Sequence, residues 1–152
     1  MTETRWLNER EMTAWLGFLQ ATIKVHRYVE HQLKEDSDLS HAQYEVLVKL
    51  SAAPEGAIRM TDLANGLFTT KSGLTYQVGQ LEKRGLVRRR SCPTDVRGVL
   101  AELTPEGHRA LREAAPGHVE AVREALIDVL DEEELAVLGR ALERVGARLP
   151  VE

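Results

Sequence analysis

The chain has 152 residues, of which 43% are hydrophobic, 29% charged and 5% aromatic, and its formal net charge is −4. That length suits one compact unit rather than a multidomain enzyme, and the composition is that of a folded, mostly helical protein. The longest stretch without a formal charge, Met12 to Ile23, falls far short of the ~20 apolar residues of a membrane span. The charged N-terminus has no apolar signal-peptide core, so a cytoplasmic protein with no membrane partner is expected. From about Glu9 to Lys34, Met12, Trp15, Leu16, Leu19 and Ile23 recur at helical spacing, and Phe18, Val25 and Val29 form a second stripe. Two stripes predict a helix with two neighbours. Ser40 and Gln43 read as a capping box, with Leu39 and Tyr44 as the hydrophobic staple, so a second helix starts at His41 and ends before Ala53.

A short extended piece at Ile58 and Arg59 precedes a brief helix carrying Leu63, Ala64 and Leu67, with Thr61 as its expected cap. After the turn Phe68-Thr69-Thr70, the segment Lys71 to Arg84 places Leu74, Val78 and Leu81 on one narrow stripe, and Gly85 reads as its C-terminal cap. Two short helices across a three-residue turn predict a helix-turn-helix. Leu86 to Arg90 and Val99 to Leu103 then read as strands, with 91–98 as the hairpin loop and Arg97 near its tip. Thr104-Pro105-Glu106 starts a long helix, expected to bend near Pro116-Gly117. Asp131 and Glu134 repeat the capping box before a last helix whose apolar seam, Leu135, Leu138, Leu142, Val145 and Leu149, calls for a partner.

The fold expected is therefore mainly α with a small β-hairpin wing, a winged helix-turn-helix on a helical dimerisation frame. Its divisions are an N-terminal dimerisation helix in 1–38, a DNA-binding lobe in 39–104 and C-terminal dimerisation helices in 105–152. Formal charge is uneven along the chain, because 1–55, 56–104 and 105–152 carry −3, +4 and −5. A basic middle between acidic flanks suits a nucleic-acid-binding core on a soluble scaffold.

The run from Asp95 to Gly107, D-V-R-G-V-L-A-E-L-T-P-E-G, preceded by L-E-K-R-G-L-V at Leu81 to Val87, resembles the wing signature of the MarR family of bacterial transcription regulators. The resemblance implies a homodimer, interlocked through its terminal helices, that binds double-stranded DNA at an inverted-repeat operator and is often released by a small ligand. It also implies that Arg97 is the wing-tip DNA contact. Val96 departs from the family pattern, which commonly has a second basic residue there, and this predicts a weaker wing.

A recognition helix presents its N-terminal residues to base edges in the major groove. With Leu74, Val78 and Leu81 facing inward, Ser72, Thr75, Tyr76 and Gln77 are the candidate base readers and Lys71 the candidate phosphate contact. A guanidinium on a narrow hairpin suits the minor groove, where Arg97 would be oriented by Asp95. Strand alternation points Arg89 away from Arg88 and Arg90, leaving the latter two as backbone contacts. Trp15, Phe18 and Tyr28 are candidates for lining an effector pocket, with core or dimer packing as their alternative fate.

No catalytic constellation, cofactor or metal site is expected. The run from Gly66 to Ser72 lacks a glycine before its lysine and is no phosphate-binding loop. Cys92, the single cysteine, excludes an internal disulfide, suits a reducing compartment and reads as an exposed bystander. Peroxide-sensing members of the family carry their thiol in the first helix, where this chain has none. The five histidines are scattered, and the pair read as a candidate chelate, His26 with Glu30 at i, i+4 on a polar helix face, reads as ordinary surface. The reading is a repressor released by a small ligand; the alternative is a helical protein-interaction module whose winged helix is not used on DNA.

Overall fold

A computed structural model describes residues 1–150. Among them, helix α1 spans Glu9–Ser37, α2 His41–Ala52, α3 Met60–Gly66, α4 Lys71–Lys83, α5 Pro105–Ala125 and α6 Glu132–Arg148, with strands β1 at Ala57–Arg59, β2 at Val87–Cys92 and β3 at Asp95–Leu103. The strands form one antiparallel sheet in the order β1-β3-β2, with Arg59 opposite Leu100 and Arg88 opposite Glu102. This is the winged-helix architecture expected, and no described helix is long and apolar enough to cross a membrane.

Local chemistry sets most of the boundaries. Asn8, Ser40 and Asp131 each close a reciprocal capping box with the residue three positions on. Each box satisfies two backbone donors that an uncapped helix would leave to water. Thr104 accepts from the Gly107 amide at 3.0 Å and donates to the Gly85 carbonyl at 2.6 Å, tying the start of α5 to the end of α4. Gly85 lies at φ +72, a left-handed conformation that suits the residue reversing the chain after α4.

Three expectations need correction. Helix α3 starts at Met60, before Thr61, and its N-cap is Arg59 with no side-chain cap bond. Pairing with β3 holds the chain extended through Arg59, so the helix turns immediately after the last paired residue. The strands reach further into the hairpin than their apolar alternation suggests, leaving only Pro93-Thr94 as the reversing turn. Helix α1 continues three residues beyond Lys34, to an exit through left-handed Asp38. Pro116 is accommodated inside α5, which remains a single element from Pro105 to Ala125.

The core sits in the lobe. Leu47 and Leu50 of α2, Leu63 of α3, and Leu74, Val78 and Leu81 of α4 are essentially inaccessible, and they pack with Leu86, Val87, Ala101 and Leu103 of the sheet side. Leu33 from α1 and Ala114 from α5 join the same cluster, which fixes the lobe on its flanking helices. By contrast, α6 has no buried residue, and Trp15, Leu16, Phe18 and Ile23 on α1 stand about half exposed. Among the described residues those faces are left largely open to solvent.

Candidate nucleic-acid interface

Helix α4 is oriented by the inward stripe of Leu74, Val78 and Leu81, so its opposite face is free. At its start the Thr70 hydroxyl accepts from the Gly73 amide at 3.0 Å, leaving Lys71 and Ser72 exposed on the first turn. An added Cβ at Gly73 would lie 3.0–3.1 Å from the hydroxyl oxygens of Thr70 and Thr69, so glycine keeps this cap tight. Thr75 is exposed and donates to the Lys71 carbonyl at 2.8 Å, while the Tyr76 ring stands 63% exposed. Lys71, Ser72, Thr75 and Tyr76 thus share one outward surface.

Gln77 is placed differently. It is half-buried, its side-chain carbonyl oxygen lies buried without a hydrogen-bond partner among the described residues, and it lines a cleft with His26, Glu30, His41 and Glu45. Gln77 is therefore on the flank of α4 rather than at the centre of its outer face.

The wing tip is a bulge. Ser91 pairs with Val99 and the next residue, Cys92, with Asp95, so Val96, Arg97 and Gly98 are extruded from the ladder. Val96 is fully exposed and Arg97 exposed. One Asp95 oxygen accepts from the Arg97 backbone amide at 3.0 Å and the other lies 3.4 Å from Arg59 Nη1. Asp95 therefore shapes the Arg97 backbone and leaves its guanidinium to reach outward. Gly98 is required by close approach, because a Cβ there would lie 2.9 Å from Cys92 Cβ and 3.3 Å from Asp95 Oδ2.

Cys92 is buried, which corrects the expectation of an exposed bystander. The turn and β1 close on it, with Thr94 Oγ1 at 3.4 Å and Arg59 Nη2 at 3.6 Å from its sulfur. Hydrogen bonding from Thr94, and secondarily from the Arg59 guanidinium, holds its pKa below the usual thiol value despite an opposing desolvation. Arg59 is the residue that sequence reading missed. No local pattern marks it, since its partners lie more than thirty residues away and meet it only through β1–β3 pairing.

Arg88 and Arg90 do share a face, as strand alternation requires, and both direct Nε to Glu102 Oε2, at 2.8 and 3.2 Å. Their charge holds the Glu102 carboxyl below the usual carboxylate range, with the Arg88 hydrogen bond the largest cause. Arg89 points the other way, to Glu82. On α1, Trp15 and Phe18 stack with ring centroids 6.3 Å apart. Tyr28 is about 15–20 Å further along the helix axis, and its hydroxyl donates to Glu124 on α5 at 2.7 Å. The three aromatics do not meet within one chain.

The sequence profile of the MarR family matches residues 37–98. Among solved structures, the chain is 42% identical to Sco3205, a MarR family transcriptional regulator from Streptomyces coelicolor in complex with DNA, at a TM-score of 0.92 over 95% of this chain and 90% of that one. It is 38% identical to AbsC, a MarR family transcriptional regulator from the same organism, at a TM-score of 0.91 over 95% and 97% of the two chains. The HTH-type transcriptional repressor YetL of Bacillus subtilis (strain 168) is 28% identical over 135 residues, which covers 87% of this chain and 80% of that protein.

Proposed function

The chain belongs to the MarR family of transcriptional regulators, and from that premise we propose that it is a sequence-specific DNA-binding repressor, active as a homodimer in the cytoplasm, released by a small ligand and without enzymatic activity. One observation carries the reading: the free face of α4, with Lys71, Ser72, Thr75 and Tyr76, stands beside a wing whose extruded bulge carries an exposed Arg97.

In the proposed complex α4 enters the major groove. Lys71, near the positive end of the helix dipole, takes a phosphate, while Ser72, Thr75 and Tyr76 offer hydroxyls to base edges. Gln77 joins them from the flank of the helix once its carbonyl oxygen turns out of the cleft. Arg97 enters the neighbouring minor groove with its backbone held by Asp95. Arg88 and Arg90 meet the phosphate backbone by exchanging their shared Glu102 carboxylate for phosphate oxygens.

The unpartnered apolar faces of α1 and α6 support pairing of two chains through 1–38 and 105–152, leaving 39–104 as the DNA-binding lobe of each. A two-fold dimer reads an inverted repeat whose half-sites lie about one turn of B-DNA apart. Trp15, Phe18 and Tyr28 are the proposed effector-lining aromatics, and the distance between the Trp15–Phe18 stack and Tyr28 means that a pocket using all three needs both protomers. The test is fluorescence anisotropy with the duplex upstream of the protein's own coding region against a scrambled duplex of equal length, over a range of salt. Binding that favours the native duplex by ~10³ or more with a steep salt slope supports the repressor. Absence of binding to any genomic fragment at low salt overturns it in favour of a protein-interaction module.

A further inference from the structure

From the packing of α2 against α5 we infer that His41, Glu45 and His118 form a binding site for a divalent first-row transition-metal ion such as Zn²⁺, with His26 at its mouth. His41 and Glu45 occupy i and i+4 on α2, with His41 Nε2 3.4 Å from Glu45 Oε1. His118 comes from α5, and its ring centroid lies 5.7 Å from that of His41. One ligand atom from each of the three residues lies within 4.8 Å of the other two. A small closure brings such atoms onto one ion, because Zn–N and Zn–O bonds are about 2.0–2.2 Å long.

His118 gives the independent sign of a ligand. It is only 7% exposed, the Tyr44 ring lies 4.3 Å from its own, and its Nδ1 is buried with no hydrogen-bond partner among the described residues. Buried polar atoms are normally satisfied, so an orphan imidazole nitrogen beside a second imidazole and a carboxylate calls for an explanation. Burial, and then the neighbouring His41, push the His118 pKa below its ordinary value, against a smaller opposing effect of Glu45. A metal is held through the lone pair of a neutral imidazole nitrogen.

Two imidazoles and a carboxylate are ligands suited to zinc and its first-row neighbours, whereas Ca²⁺ and Mg²⁺ prefer all-oxygen shells. Three protein ligands leave a fourth position for water or for His26, whose ring meets His41 edge-on with centroids 5.7 Å apart. Glu30 supports this corner from α1, accepting from the His41 backbone amide at 3.2 Å and lying 3.6 Å from His26 Nε2. An ion here would fasten the lobe helix α2 to the frame helix α5. The site does not depend on the repressor reading and is tested without DNA.

The experiment is calorimetric titration of the chelator-treated full chain with Zn²⁺ in a non-coordinating buffer, repeated with Co²⁺ and read by visible absorption. One ion per chain is expected, with a Kd in the micromolar range or tighter. His41→Gln and Glu45→Gln should each weaken binding at least tenfold and alter the Co²⁺ spectrum, while His31→Gln leaves both unchanged. Both ligand variants alter partly exposed side chains, so they carry the test even where His118→Gln fails to fold by circular dichroism. Lack of saturable binding overturns the site, as does stoichiometric binding to which His41→Gln and Glu45→Gln make no difference.

Discussion

Arg59 and Asp95 are joined across the base of the wing, 3.4 Å from Nη1 to Oδ2, and the second Asp95 oxygen holds the Arg97 amide. Both partners are about 40% exposed, so the pair adds at most about 1 kcal/mol to folding. Its contribution is to the shape of the bulge. Asp95→Ala should therefore lower operator affinity about tenfold, which corresponds to about 1.4 kcal/mol, while the urea midpoint of unfolding stays nearly constant. A large loss of stability with unchanged affinity per folded molecule would show that the pair serves the fold alone.

Arg97 itself is exposed and makes no side-chain ion pair among the described residues. Arg97→Ala should weaken operator binding at least tenfold and reduce the salt slope by about one phosphate equivalent. Val96 stands fully exposed in the same bulge. Val96→Arg should do the reverse on any duplex, strengthening binding several-fold and steepening the salt dependence.

Two glycines in helices make opposite predictions. A Cβ on Gly107 would overlap the Leu86 carbonyl oxygen and crowd Leu103 Cδ1, whereas a Cβ on Gly79 meets nothing within 4 Å. The Leu86 carbonyl also accepts from Thr104, so it cannot retreat without releasing that bond. Gly107→Ala should cost about 1–3 kcal/mol or more through overpacking. Gly79→Ala in mid-helix should add about 0.5–1 kcal/mol. Denaturant midpoints of the two variants, shifting in opposite directions, check both.

Acid should weaken the sheet through Glu102. Its folded-state pKa is depressed by Arg88 and Arg90, so its contribution to stability is complete above the ordinary carboxyl value of about 4.5. That contribution is lost as pH falls through the lower folded-state value, because the unfolded chain takes up the proton first. Glu102→Gln should flatten the acid limb of the stability profile and lower stability at pH 7. If wild type and variant differ equally at pH 7 and pH 3, the carboxylate is not the source of the acid sensitivity.

What could be read from the sequence was local. Ser40 with Gln43, Asp131 with Glu134, and Thr104 before Pro105 announce helix starts within four residues, and each caps as expected. Leu74, Val78 and Leu81 fix which face of α4 is buried and hence which residues it displays. The hidden features depend on contacts between distant segments. Thr61 has the right chemistry for a cap, yet the pairing of Arg59 with Leu100 starts the helix one residue earlier. The burial of Cys92 is hidden in the sequence because Arg59, one of the two groups that close on its sulfur with Thr94, lies 33 residues away. His118 looked scattered because only the packing of α5 on α2 brings it to His41.

Helix α6, with no residue buried in its own chain, has a further consequence for how the protein responds to dilution. Seventeen residues with a good N-cap make a marginal helix in water, so its order is a matter of mass action. If its seam is covered by a second copy, the thermal midpoint rises with protein concentration and helical ellipticity is shed on dilution. The number of molecules in a cell then sets how much of this chain is folded at its C-terminal end, as well as how often it meets DNA.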